Sequence, residues 1–184
     1  EFDLGPAGLG QSISVAAKAG HVPAIVAANT QFEANDPTLA DLQRLAKAGV
    51  IRRYIVIERG GLRFGIFGLL GKEAISVTVG AGAVKFADPI ETAKEMVKLL
   101  RETEKVDVVI ALTHQGVVKG KDGRFTGGED VQLAKDVPGI DVVIGGHSHT
   151  FLREAIMVNV RTPVVQAGKN GDALGELVVT LDGG

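Results

Sequence analysis

The sequence predicts an α/β sandwich with mixed β-sheets, on three observations. Apolar, strand-like runs alternate with amphipathic helical stretches through the middle of the chain, the pattern that lays helices against a sheet. A run of strand-like segments closes the chain from Ile156 onward. Glycine is abundant, at 25 residues, and aromatics make up only 4%, as expected for small-residue α/β packing with many tight turns. A length of 184 residues at 45% hydrophobic suits one domain able to bury a sizeable core.

Taken in order, residues 5–20 read as a helix with Leu9, Ile13, Ala16 and Ala17 as its apolar stripe and Gly20 as its stop. His21 falls in the Gly-His-Val-Pro connection after it and reads as surface or structural. Residues 24–28 form the first strand, and Asn29 at its end satisfies loop backbone. Asp36-Pro37 opens a polar turn, and residues 38–48 make an amphipathic helix closed by Gly49. Residues 54–57 and 62–69 flank Glu58-Arg59-Gly60-Gly61, which makes them a β-hairpin. Arg52, Arg53, Arg59 and Arg63 read as solvated charges at strand ends.

Residues 71–83 are glycine-rich but lack the Gly-x-x-x-x-Gly-Lys-Ser/Thr order of a phosphate-cradling loop, so they read as a plain surface connection. Asp88-Pro89 starts a helix with proline in its first turn. Ile90, Ala93, Met96, Val97 and Leu100 fall on one face of it, and Glu91, Lys94, Glu95, Lys98 and Arg101 lie opposite. It leads into the buried run 106–112, as in a β-α-β crossover. Residues 117–128 are polar and broken by glycine, and read as a mobile segment overhanging the histidines at the strand ends. Residues 129–136 are a short helix and 140–144 a second buried strand. Segments near 156–160, 163–166 and 174–181 read as three further strands.

Chemistry is concentrated at the ends of the two buried runs. Thr113-His114-Gln115-Gly116 comes after the first, and Gly145-Gly146-His147-Ser148-His149-Thr150 after the second, so three of the four histidines stand at strand C-termini. Open α/β sheets build their sites there. His147 and His149 share a side of an extended backbone, and neutral imidazole is the commonest protein metal ligand. The pattern therefore reads as metal-binding. With no cysteine, any metal takes nitrogen and oxygen ligands. A net charge of -2 argues against a nucleic-acid footprint. No run approaches the roughly 18 apolar residues of a membrane span.

These two histidine motifs resemble the last two signature motifs of the calcineurin-like metallophosphoesterases, in their 5'-nucleotidase branch. The opening Glu1-Phe2-Asp3-Leu4-Gly5 resembles the tail of that branch's Gly-Asn-His-Glu-Phe-Asp motif. Residues 23–29 (PAIVAAN), 64–69 (FGIFGL) and 167–177 (AGKNGDALGEL) match as well, so the resemblance runs nearly end to end.

The resemblance implies a metallophosphoesterase-type sandwich of two mixed β-sheets flanked by helices, of which this chain supplies the later part. It implies a metal-dependent 5'-nucleotidase that hydrolyses nucleoside 5'-phosphates with a hydroxide activated by two divalent ions such as Zn or Mn. His114 and His147 would hold one ion and His149 the other. Asp3 matches the catalytic position that orients the histidine of a His-Asp dyad. The family's Asp-x-His and Gly-Asp motifs, its bridging aspartate, the dyad histidine and the nucleoside-binding domain are not in the sequence. Residues 1–184 are therefore expected to be one incomplete domain, inactive alone and holding at most one ion, weakly.

Expected partners are a nucleotide or other small phosphoester substrate and either an upstream fragment or a second copy of the chain over an exposed sheet edge. The resemblance also implies the periplasm or cell surface. Two alternatives stay open: a related enzyme with another substrate, such as a cyclic-nucleotide phosphodiesterase or thiosulfohydrolase, and a non-catalytic metal-binding module.

Overall fold

Twelve strands and five helices form along residues 2–180, the part described by the computed structural model. In chain order they are α1 (Gly5–Ala19), β1 (Ile25–Val26), β2 (Thr30–Phe32), α2 (Ala40–Lys47), β3 (Ile51–Arg52), β4 (Tyr54–Arg59), β5 (Leu62–Leu70), α3 (Lys72–Val77), β6 (Val84–Phe86), α4 (Pro89–Glu102), β7 (Val108–His114), β8 (Val118–Lys119), β9 (Phe125–Gly127), α5 (Glu129–Asp136), β10 (Val142–Ile144), β11 (Ile156–Val158) and β12 (Thr162–Val165).

Six of the strands make one mixed sheet in the order β11-β12-β10-β7-β5-β4. The inner four run parallel, and β4 and β11 are antiparallel edges. The other strands pair off as β1 with β3, β2 with β6 and β8 with β9. The mixed sheet with flanking helices matches the architecture expected from the sequence.

Local chemistry explains the main elements. Gly60 and Gly61 both take positive φ (59° and 80°), and Arg59 pairs directly with Leu62 across them. This is the left-handed two-residue loop that suits the twist of a hairpin, and glycine takes it without a Cβ clash. Helix α4 begins where Asp88 Oδ1 accepts from the amides of Ile90 (2.9 Å) and Glu91 (3.1 Å), with Pro89 in the first turn. Its apolar face, including Ala93, Met96 and Leu100, is fully buried against Phe67, Val109, Ala111 and Val143 of the sheet, together with Leu133 of α5. Burial of a side chain such as Met96 or Leu100 stabilises by roughly 1.5–3 kcal/mol. A smaller core joins Phe2, Leu39, Leu42, Leu45, Ile51 and Val84 around α1 and α2.

Several expectations need correcting. The predicted helix 38–48 is a 3-10 turn, Pro37–Leu39, followed by α2. The segment 71–83 is no plain connection, since it contains α3. Residues 117–128 fold back as the β8–β9 hairpin, with the Lys119 ammonium 5.1 Å from the centre of the Phe125 ring. The strand expected at 156–160 stops at Val158, because Asn159 and Val160 turn with positive φ (50° and 64°). No strand forms along 174–180, and Leu181 lies outside the described residues.

The two runs expected to be buried throughout are buried at their starts, Val108 and Val142 included, but open to solvent on one face near their C-terminal ends. Leu112 is 44% exposed and Ile144 38%. Ile144, with Phe64, Val108, Ile110 and Val142 on the same face, lines a groove of about 1310 Å³ that the extended chain 173–180 only partly covers.

Candidate functional site

Strands β7 and β10 lie side by side and parallel, with Ile144 opposite Leu112, so the turn after β10 leaves the sheet beside the end of β7. This register brings two predicted histidines together. The rings of His114 and His147 stand 4.9 Å apart between centroids, tilted by 59°. His149 is exposed, and both His147 and His149 hold positive φ (73° and 53°), a region non-glycine residues seldom occupy. Gly145 is required by close approach, because a Cβ there would sit 2.3 Å from Asp130 Oδ2.

A carboxylate that the sequence did not flag completes this corner. Nε2 of His147 contacts Oε2 of Glu73, which stands in the first turn of α3. That helix starts where it does because Glu129, the first residue of α5, accepts from the amides of Lys72 (2.7 Å, Oε2) and Glu73 (2.8 Å, Oε1). A capping carboxylate satisfies amides that a helix start leaves unpaired. Here the cap arrives from more than fifty residues along the chain, so no local window of sequence shows it. Lys72 also pairs with Asp88 at 2.7 Å, and this contact, more than any other, holds the Asp88 carboxyl below its usual range.

Beneath the turn lies Asp130, fully buried. One oxygen accepts from Thr113 Oγ1 at 2.5 Å and the other from the Gly116 amide at 3.0 Å. Burial pushes its pKa up to about 6, and the hydrogen bonds from Thr113 and Gly116 only partly offset that. Asp130 thereby ties the chain on both sides of His114 to the start of α5. The only sequence signal for this pair was Glu129-Asp130 directly after Gly128, acidic residues at a helix start.

The donor set is imidazole nitrogen with carboxylate oxygen, the chemistry that Zn and Mn accept. A protein-held zinc ion usually has three or four protein ligands, and no group of three or more His, Asp or Glu is arranged to hold a cation among the described residues. His114 and His147, two imidazoles, fall short of that ligand count. Asp3 is exposed in the turn before α1, and none of the described hydrogen bonds or ion pairs links it to His147 or His149. Glu1 lies outside the described residues. His21 is exposed, as expected. Asn29 is fully buried and bonds the main chain of Leu70 and Ala87, the structural role read from the sequence.

Comparison with known proteins bears on this geometry. The family model of calcineurin-like phosphoesterase matches residues 26–151. The trifunctional nucleotide phosphoesterase protein YfkN of Bacillus subtilis is 34% identical over 202 residues, covering 99% of this chain and 13% of its own length. A 5'-nucleotidase of Vibrio cholerae is 30% identical over 99 residues, covering 52% of this chain and 18% of its own. The crystal structure of a 5'-nucleotidase precursor from Thermus thermophilus superposes with a TM-score of 0.65 at 27% identity, over 92% of this chain and 32% of that one. The chain therefore spans a minor part of each relative. With the family model covering the ends of β7 and β10 and the histidine turn that follows β10, the chain belongs to the calcineurin-like phosphoesterase family, in its 5'-nucleotidase branch.

Proposed function

We propose that this chain is one incomplete domain of a metal-dependent phosphoesterase that hydrolyses nucleoside 5'-phosphates. The observation that carries the reading is the meeting of His114 and His147 at the ends of two adjacent parallel strands. The names of relatives, nucleotide phosphoesterase and 5'-nucleotidase, support the substrate class. Divalent ions in such sites supply positive charge against phosphoryl oxygens and a nucleophile available near neutral pH.

The chain's own residues have distinct parts in this reading. His114 and His147 hold one ion, and the exposed His149 faces outward for a second. Glu73 carries negative charge beside His147 and fixes the orientation of its ring, the service that outer carboxylates give to ligating histidines. Asp3 orients a histidine that comes from outside these residues. Two imidazoles without a bridging carboxylate do not offset the repulsion of two dications about 4 Å apart, so the chain by itself holds at most one ion and turns over no substrate. We place the whole protein in the periplasm or at the cell surface. Among the described residues no helix is long and apolar enough to cross a membrane.

The test is phosphate release from AMP and p-nitrophenyl phosphate with added Mn or Zn. The 184-residue chain should match its own His147→Ala variant. A longer polypeptide carrying the family's upstream motifs should be activated by metal and lose that activity on the same substitution. Metal-dependent turnover by the short chain would overturn the incomplete-site reading, and an inactive longer protein would overturn the phosphoesterase reading.

A further inference from the structure

The turn that carries two of the histidines is held in an unfavourable shape, and the groups that hold it are not themselves candidate ligands. His147 and His149 both have positive φ, on either side of Ser148. A non-glycine residue keeps such a conformation only where the surroundings over-determine it. Here the surroundings converge on the Ser148 hydroxyl. It accepts from the Val117 amide at 3.1 Å, lies 3.0 Å from Thr150 Oγ1, and donates to Gln166 Oε1 at 2.9 Å. A hydroxyl has one proton and two lone pairs. With Thr150 as donor, every bonding position of this one is used.

The far end of the clamp is buried and tied into the sheet. Gln166 is 4% exposed and comes directly after β12. The adjacent Val165 carbonyl accepts from the Gly145 amide at 2.8 Å, and the Gln166 carbonyl accepts from Leu152 at 3.0 Å, so the main chain on both sides of the turn is tied to the same strand end. The Gln166 amide nitrogen is buried with no partner among the described residues. Burying a side-chain donor unpaired is unfavourable, and the compensating feature visible at this residue is the bond its oxygen accepts from Ser148.

We propose that Gln166 is a positioning residue: through Ser148 it holds His147 and His149 in the left-handed conformation that presents both imidazoles at the end of β10. The conformational part stands on geometry alone. Its consequence for metal rests on the reading of His147 and His149 as ligands given above.

The experiment has two arms on the 184-residue chain, with Gln166→Met, which keeps bulk and removes the acceptor, and Ser148→Ala, which removes the donor at the surface end. In the first arm, NMR couplings and chemical shifts report φ at His147 and His149 without metal. Both variants should lose the left-handed values while amides of β5 and β7 stay unchanged. Left-handed φ retained at both histidines in either folded variant would overturn the proposal, and Ser148→Ala supplies that answer if Gln166→Met does not fold. In the second arm, Mn binding is titrated by the EPR signal of the free ion, with His147→Ala as control. Gln166→Met should weaken binding by about 10- to 100-fold, the range for outer-shell partners of ligating histidines, and adding Ser148→Ala should weaken it no further. If His147→Ala leaves Mn binding unchanged, the ligand reading fails while the NMR arm still decides the clamp. If His147→Ala weakens binding and Gln166→Met does not, the clamp has no part in the metal site and the proposal falls.

Discussion

Replacing Asp130 by asparagine should change how the stability of this protein depends on pH. The carboxyl is fully buried, and its pKa rises from 3.8 to about 6, chiefly through burial. A raised acid pKa means that the native state holds its proton where the unfolded chain has lost it. The resulting stability is complete below the unfolded pKa and is lost as pH rises through about 6. At about 1.4 kcal/mol per pKa unit, the displacement corresponds to roughly 3 kcal/mol. Asparagine has no such titration, yet it can still serve both partners, because its oxygen can accept from Gly116 and Thr113 can rotate its hydroxyl to accept from the amide. Urea unfolding followed by circular dichroism, in EDTA between pH 4 and pH 7.5, isolates this group as the difference between the two proteins. The variant should gain roughly 3 kcal/mol on the wild type across that window. Parallel stability curves would refute the argument, since they would mean that Asp130 is not desolvated in the native state.

Three further outcomes rest on individual contacts. Asn29→Ala removes the bonds to Leu70 O (2.9 Å), Ala87 O (3.3 Å) and Leu70 N (3.0 Å) at a fully buried position, and should cost about 2–4 kcal/mol in urea unfolding. Gly145→Ala places a Cβ 2.3 Å from Asp130 Oδ2, and should cost about 1–3 kcal/mol while shifting the imidazole NMR signal of His147. Arg53→Ala breaks a two-point pair with Glu95 at 2.8 Å between half-exposed side chains, and should change the thermal midpoint by no more than a loss of about 1 kcal/mol implies.

The fold was legible wherever one segment of sequence carried both pattern and punctuation. Helix α4 announced its start with Asp88-Pro89 and its buried face with a clean apolar stripe, and both are as read. The hairpin of β4 and β5 was fixed by Gly60-Gly61. Reading failed where the deciding contact was distant. Helix α3 has six residues, too short to nucleate on its own propensity, and its start is held by Glu129. The stretch 174–180 has strand-type residues yet pairs with neither sheet edge, β4 or β11, and lies along the groove instead. Apolar runs such as β7 looked buried on both faces because apolar patterning records what a face tolerates, while burial needs a second layer over it.

The site divides along the same line. Histidines after buried strands can be found from sequence because strand, glycine and imidazole are contiguous, and parallel pairing then brings His114 and His147 together without further information. The groups that orient them are not contiguous with them. Glu73 reaches His147 across 74 positions, Glu129 positions Glu73 across 56, and Asp130 reaches Thr113 across 17. Each of these carboxylates sits at or near a helix start, where an acidic residue is ordinary and therefore uninformative when read alone. The sequence distinguishes ligand-type residues by their rarity in such places, whereas their supporting carboxylates are common types whose meaning depends on the groups they touch. Substitution of Glu129 should accordingly disturb His147 although the two have no described contact, because the path runs through the first turn of α3.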